Sequence, residues 1–144
     1  MTDNPTSRLT ADELLAMGNG TLAERMGIEI SEASAEVTRG SMPVEGNTQP
    51  YGLLHGGASV VLAETLGSIA SMLHASPSGI VVGVDINATH HRAVRSGNVY
   101  GVATPLHRGR TMASYEIVIT DDQDRRCCTA RITCAVLPNS KESN

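Results

Sequence analysis

The chain has no phenylalanine and no tryptophan, and its only large rings are Tyr51, Tyr100 and Tyr115. Its core must therefore be aliphatic, filled by Val, Leu, Ile, Ala and Met. The same absence removes the stacking platforms on which single-stranded nucleic acid is held. Positive charge is scarce too. The 11 Lys and Arg against 15 Asp and Glu leave a net charge of −4, the wrong sign for a sequence-independent grip on phosphate backbones. No apolar run approaches the roughly 20 residues that span a bilayer. Met1 to Leu9 is polar and lacks the charged-then-apolar order of a secretory signal. We therefore expect a cytoplasmic protein with neither nucleic acid nor membrane as a partner. The three cysteines, Cys127, Cys128 and Cys134, share one strand-like run. An odd count without a secretion signal suggests reduced thiols. Neighbours on a strand point to opposite faces, so Cys127 and Cys128 make a poor metal pair and read as small buried hydrophobes.

What is present suits one domain: 144 residues, 40% of them hydrophobic. Residues 1–9 and 138–144 read as flexible tails around a domain at 10–137. Thr10-Ala-Asp-Glu13 is a helix-capping box, with Gly18 placed to stop the helix after two turns. Thr21-Leu-Ala-Glu24 is a second box, opening a short turn that ends near Gly27. Ile28 to Ser31 and Ala35 to Val44 alternate as strands, and Glu45 to Leu54 is a loop. From Gly56 to about Ala75, Leu62, Leu66, Ile69 and Leu73 recur at helical spacing. Val60, Val61, Ala63 and Ala70 widen the stripe almost to the whole circumference, so this helix should be buried. Four strand-like runs follow, Val81 to His91, Val99 to His107, Met112 to Thr120 and Arg125 to Leu137. Their short links suit antiparallel hairpins in a four-strand meander. The order gives an α+β protein, one curved antiparallel sheet wrapped around one long central helix.

The chemistry concentrates between Gln49 and Ser68. His55-Gly56-Gly57 enters the long helix, whose first N–H groups lack internal partners and carry the positive end of the dipole. Such an end holds an anion or a developing oxyanion, or is simply a tight turn. Glu64 lies in the most apolar helix of the chain. A buried carboxylate there needs a reason, although a Glu on the one solvated face needs none. Ser68 follows one turn later on the same face, where it orients a carboxylate or a water, or merely packs. Gly56 and Glu64 are eight residues apart, about 12 Å along the axis at ~1.5 Å per residue. One carbonyl cannot touch both on one helix. If both act on one bond they come from two chains, with antiparallel helices about a two-fold, so an obligate dimer is expected.

The run Gln49-Pro-Tyr-Gly-Leu-Leu-His-Gly-Gly-Ala-Ser-Val-Val-Leu-Ala-Glu-Thr-Leu-Gly-Ser68 resembles the signature of hotdog-fold acyl-CoA thioesterases. It is most similar to the branch of hydroxybenzoyl-CoA thioesterase, the dihydroxynaphthoyl-CoA hydrolase of menaquinone synthesis and the proofreading thioesterase of enterobactin synthesis. Val82 to Arg92, Pro105 to Arg110 and Arg126-Cys-Cys-Thr also match, so the likeness runs from about Thr10 to Leu137. The resemblance implies a hotdog fold and thioester hydrolysis, with Glu64 as the catalytic carboxylate and Gly56 as the backbone donor to the carbonyl. It implies that Gln49 and His55 orient that carbonyl, and that Ser68 positions water. His90, His91, Arg92, Arg110 and Thr111 fall where relatives contact the pantetheine arm and the phosphates of CoA, although Arg110 departs from members with a small polar residue there. It further implies a homodimer as the active unit, a homotetramer built as a dimer of dimers, and no cofactor or metal. The histidines lack H-E-x-x-H, and the serine-hydrolase elbow G-x-S-x-G is absent. The first expectation for substrate is a hydroxy-aromatic acyl-CoA. A proofreading enzyme acting on acyl groups of a carrier protein comes second, ahead of a hotdog hydratase or dehydratase and of a non-catalytic acyl-CoA binder.

Overall fold

The computed structural model describes Glu13, Ala16 and residues 18–138, so most of the helix expected after Thr10 lies outside the described residues. The second capping box yields helix α1, Leu22–Met26, closed by Gly27 in the left-handed region. Its cap differs from the expected reciprocal pair. The Thr21 hydroxyl donates back to the Gly18 carbonyl, and the Glu24 carboxylate accepts from the Gly20 N–H. Helix α2 is Gly56–Ala75. Six strands complete the fold: β1 Glu29–Ala33, β2 Thr38–Pro43, β3 Gly79–His90, β4 Asn98–Arg108, β5 Met112–Thr120 and β6 Arg126–Pro138.

All six form one antiparallel sheet in the order β1-β2-β4-β5-β6-β3. This corrects the expected four-strand meander. Only β4, β5 and β6 follow one another by hairpins, while β3 pairs with β6 at the far edge. The link from β3 to β4 is tied down along its way and is no free hairpin loop. Val94 is buried, and its carbonyl accepts from the Leu54 N–H at 2.7 Å.

Period-two alternation puts Val99 and Ala103 of β4, Ala113, Tyr115, Ile117 and Ile119 of β5, and Ala130, Ile132 and Cys134 of β6 against the helix. From α2 come Leu62, Leu66, Ile69 and Leu73, the stripe expected from their spacing. Each fully buried aliphatic side chain contributes about 1.5–3 kcal/mol. The one buried ring, Tyr115, satisfies its hydroxyl by donating to the Ala35 carbonyl at 2.6 Å, and burial pushes its pKa up to about 12. The helix lies close on the sheet because Gly67 has no side chain. A Cβ there would sit 2.3 Å from Ile132 Cγ2.

By length and composition α2 could cross a bilayer, which corrects the reading that no segment comes near this. Glu64, Thr65 and the serines break the run in the sequence, while the average over the helix stays apolar. Here the sheet supplies its apolar surroundings. The cover is incomplete, however. Gly57, Val60, Val61, Glu64, Thr65, Ser68 and Met72 are exposed or half-buried. At 100° per residue they form one stripe along the helix, left open by the sheet.

Candidate active site

The loop before α2 is built to present a helix start. Gln49 to Gly52 form a tight turn, with Gly52 N–H donating to the Gln49 carbonyl at 3.0 Å. The Gln49 side-chain oxygen accepts from the Tyr51 N–H, which turns the amide N–H₂ of Gln49 outward as a donor. His55 is the N-cap of α2. Its Nδ1 accepts from the Gly57 N–H at 2.8 Å, and its carbonyl takes the N–H groups of Ala58 and Ser59. Of the first four N–H groups, only that of Gly56 is left without a partner among the described residues. A single donor therefore faces outward at the positive end of a 20-residue helix.

That donor opens on a cleft of about 350 Å³ lined by Gln49, Leu53, Gly56, Ser59, His90, His91, Arg92 and Cys127 among others. His90 comes so near that a Cβ on Gly56 would lie 2.8 Å from its Nε2, so a larger residue here would push the exposed ring of His90 aside. His91 holds Thr129 Oγ1 at 2.9 Å through Nε2. Adjacent histidines were expected to face apart on a strand, yet both line this cleft, because β3 stops at His90 and the chain turns. Cys127 shares the cleft wall, but burial pushes its thiol up to about 11, so it is no nucleophile at neutral pH.

Glu64 is elsewhere in the chain, and it is exposed rather than buried. It lies on the open stripe, against β3. Its Oε1 is 3.2 Å from where a Cβ on Gly83 would be, and it lines a small hollow with Val84, Asp85, Ile86 and Ile132. A β-bulge falls here, between Gly83 and Asp85. It resets the alternation of β3, so that Val81 packs inward before it and Ile86 and Ala88 after it. Ser68, one turn beyond, lines a separate apolar groove of about 460 Å³ with Leu22, Ala23, Ile28, Ile30, Thr65 and Ile69. Arg110 and Thr111 lie at the far end of the sheet, in a cleft of about 230 Å³ with Ser78, Gly79, Val136 and Leu137.

The chain thus brings Gln49, His55, Gly56, His90, His91 and Arg92 together at one end. Glu64 and Ser68 stand on the open stripe, and Arg110 and Thr111 at the opposite end. Sequence reasoning missed Ser59, whose buried side chain lines the cleft three residues after Gly56, a spacing that could have flagged it. It also missed Arg95, which lines a polar hollow of about 350 Å³ that shares Arg92, Ala93 and Val94 with the cleft. No sequence signal marked it. The chemical capacity is split accordingly. One half can polarise a carbonyl with a backbone N–H, and the other can supply a carboxylate.

Comparison with known proteins adds to this geometry. A family model described as the thioesterase superfamily matches residues 51–128. The proofreading thioesterase EntH of Cronobacter turicensis is 51% identical over 130 residues, 90% of this chain and 95% of that one. A solved thioesterase from Haemophilus influenzae is similar with a TM-score of 0.90 at 38% identity, covering 96% of this chain and 98% of its own. Another, from Pseudomonas aeruginosa and carrying a point mutation, gives 0.87 at 41% identity, with 91% and 96% covered.

Proposed function

The chain belongs to the thioesterase superfamily, with the hotdog fold and thioester hydrolysis as its activity, and from that premise we propose that it clears unwanted acyl groups from the phosphopantetheine arm of a carrier protein. The likeness to a proofreading thioesterase at 51% identity favours this reading over the first expectation, a hydroxy-aromatic acyl-CoA. Acyl-CoA presents the same arm and serves as a second substrate.

Two protomers make the site. β3 is an edge strand with one side unpaired, and Ile80, Val82 and Val84 on it are 49%, 47% and 60% exposed. An edge so apolar is a template for another strand. A second copy pairing antiparallel about a two-fold exchanges the strand ends, bringing the Gly79 end of one chain to the His90 end of the other. Every proposed site residue then falls into one of two complementary halves. Gln49, His55, Gly56, His90, His91 and Arg92 come from one protomer, and Glu64, Ser68, Arg110 and Thr111 from its partner. The observation that carries the reading is the pairing of an unpartnered Gly56 N–H with an exposed Glu64, about 12 Å apart on one helix.

In that arrangement the Gly56 N–H holds the oxygen of the thioester carbonyl, and the Gln49 amide and His55 orient it. A backbone donor of this kind is worth roughly a hundred- to a thousand-fold in rate. Glu64 attacks the carbonyl carbon to give a mixed anhydride that water then hydrolyses, or it takes a proton from a water placed by Ser68 as that water attacks. In either case the C–S bond breaks and the thiolate departs to be protonated. The acyl group lies in the apolar groove that begins at Ser68. The enzyme resides in the cytoplasm and needs no cofactor, and its dimers pair further into a tetramer.

Mixed dimers test the two-chain site. Glu64→Gln and Gln49→Ala variants are each expected to be inactive. Unfolded and refolded together, they should regain activity, because one site of each mixed dimer is intact. No recovery, with mixed dimers demonstrated by tag capture, refutes the shared site. The substrate reading is checked by kcat/KM over carrier-bound and CoA-bound acyl thioesters, with the carrier forms expected to lead.

A further inference from the structure

The turn between β4 and β5 is held by backbone hydrogen bonds on either side of Arg110. The Gly109 N–H donates to the Met112 carbonyl at 2.8 Å, and the Val136 N–H donates to the Thr111 carbonyl at 2.9 Å. On the entering side, the Arg108 guanidinium meets the Glu36 carboxylate at 3.0 Å. A Cβ on Gly109 would lie 2.6 Å from His107 Nε2 and 2.9 Å from the Met112 oxygen, so glycine alone lets the turn close this tightly. The Gly109 carbonyl, just before Arg110, is reached from outside the turn. His74, half-buried in the last turn of α2, places Nε2 at 2.7 Å from it. A carbonyl oxygen can only accept, so Nε2 carries the proton. Within this frame Arg110 is exposed, and among the described residues it makes no ion pair and no side-chain hydrogen bond. A rigid turn therefore presents a guanidinium with nothing to hold.

We propose that His74 is a positioning residue. By clamping the Gly109 carbonyl, it holds the turn so that Arg110 meets a phosphate on the substrate's pantetheine arm. Arg suits that contact, because its planar fork pairs with phosphate oxygens bidentately. A clamped backbone lowers the ordering cost of the contact. The inference rests on the two-chain site above, in which Arg110 stands beside the partner's entrance to the cleft. The phosphate has two sources of the same chemistry, the diphosphate of CoA and the phosphodiester that joins pantetheine to a carrier.

Steady-state kinetics on the full-length dimer decide it, with benzoyl-CoA, a benzoyl-loaded carrier protein, and benzoyl N-acetylcysteamine thioester, which has no phosphate. His74→Ala should raise KM for benzoyl-CoA roughly fivefold, the upper range for one exposed charge contact, with kcat nearly unchanged. The phosphate-free ester should show no change. His74→Gln, whose amide N–H reaches the same place, should restore KM. In an Arg110→Ala background, His74→Ala should add nothing. A rise with the carrier substrate as well identifies the phosphodiester as the group held, and a rise with CoA alone identifies the diphosphate. An equal rise on the phosphate-free ester, a fall in kcat across all three substrates, or an effect that persists without Arg110 overturns the role of His74. If Arg110→Ala leaves KM for both phosphate-bearing substrates unchanged, the placement of Arg110 in the site fails as well, while the mixed-dimer result on Glu64 stands apart. Should His74→Ala fail to fold, His74→Gln against His74→Leu gives the same comparison.

Discussion

At the scale of single residues, two groups carry the proposed reaction, and each is made available by what surrounds it. Gly56 keeps an N–H with no partner among the described residues, while His55 satisfies the next three donors, one through its ring and two through its carbonyl. Glu64 is exposed because the sheet leaves one stripe of α2 uncovered. Glu64→Gln keeps the shape and removes the charge. We expect kcat to fall by about a thousand-fold or more with little change in binding, since the carboxylate acts in the transition state. Single-turnover rates and product-analogue affinity measure the two separately. Both residues could be singled out in the sequence, because a helix start and a carboxylate in an apolar helix are local signals. The exposure of Glu64 was not. Composition says how greasy a helix is, and only the sheet's order says which of its faces goes uncovered.

At the scale of elements, the helix and the strands stand close to where periodicity places them, and the sheet order does not. Alternation marks each of β3 to β6, but it carries no information about which strand lies beside which. With β3 at the far edge, the link to β4 runs past the loop before α2, where Val94 is buried and bonded to Leu54, contacts far apart in the sequence. The packing of α2 has its own test. Alanine is favoured over glycine in a helix by about 1 kcal/mol. At Gly67 the added methyl would meet Ile132 at 2.3 Å, and overpacking of that kind costs about 1–3 kcal/mol. Gly67→Ala should therefore be destabilising on balance, with Tm lower by a few degrees, as calorimetry can show.

The β5–β6 turn makes a pH prediction. The Arg125 and Gln123 N–H groups and the Arg125 guanidinium all donate to Asp121. Led by the Arg125 N–H, they hold its carboxyl below the ordinary value of 3.8. The unfolded chain then takes up the proton first. The stabilisation is present above that ordinary value and is lost as pH falls through the lower, folded one. Asp121→Asn should be less stable than the parent at neutral pH. Its urea midpoint should approach the parent's as the solution is acidified through that window.

At the scale of the whole molecule, the two-chain reading makes assembly a condition of chemistry. Val84 is 60% exposed on the unpaired edge of β3, beside the bulge that faces Glu64. A lysine there is the device by which edge strands avoid partners. Val84→Lys should shift sedimentation from dimer to monomer and abolish turnover, while circular dichroism stays that of the folded chain. The expectation of two chains came from eight residues of helix. The edge proposed to join them was not legible: the alternation of Ile80, Val82 and Val84 is in the sequence, but the place of β3 at the end of the sheet is not.

The open side of β3 has a further consequence for how the enzyme behaves in time and quantity. With the site shared as proposed, a protomer that meets no twin would hold half of each catalytic set and could do nothing with a thioester, however well it has folded. Newly made chains would stay silent until enough accumulate to find one another. On dilution below the dissociation constant, the rate would fall with the square of enzyme concentration instead of in proportion to it.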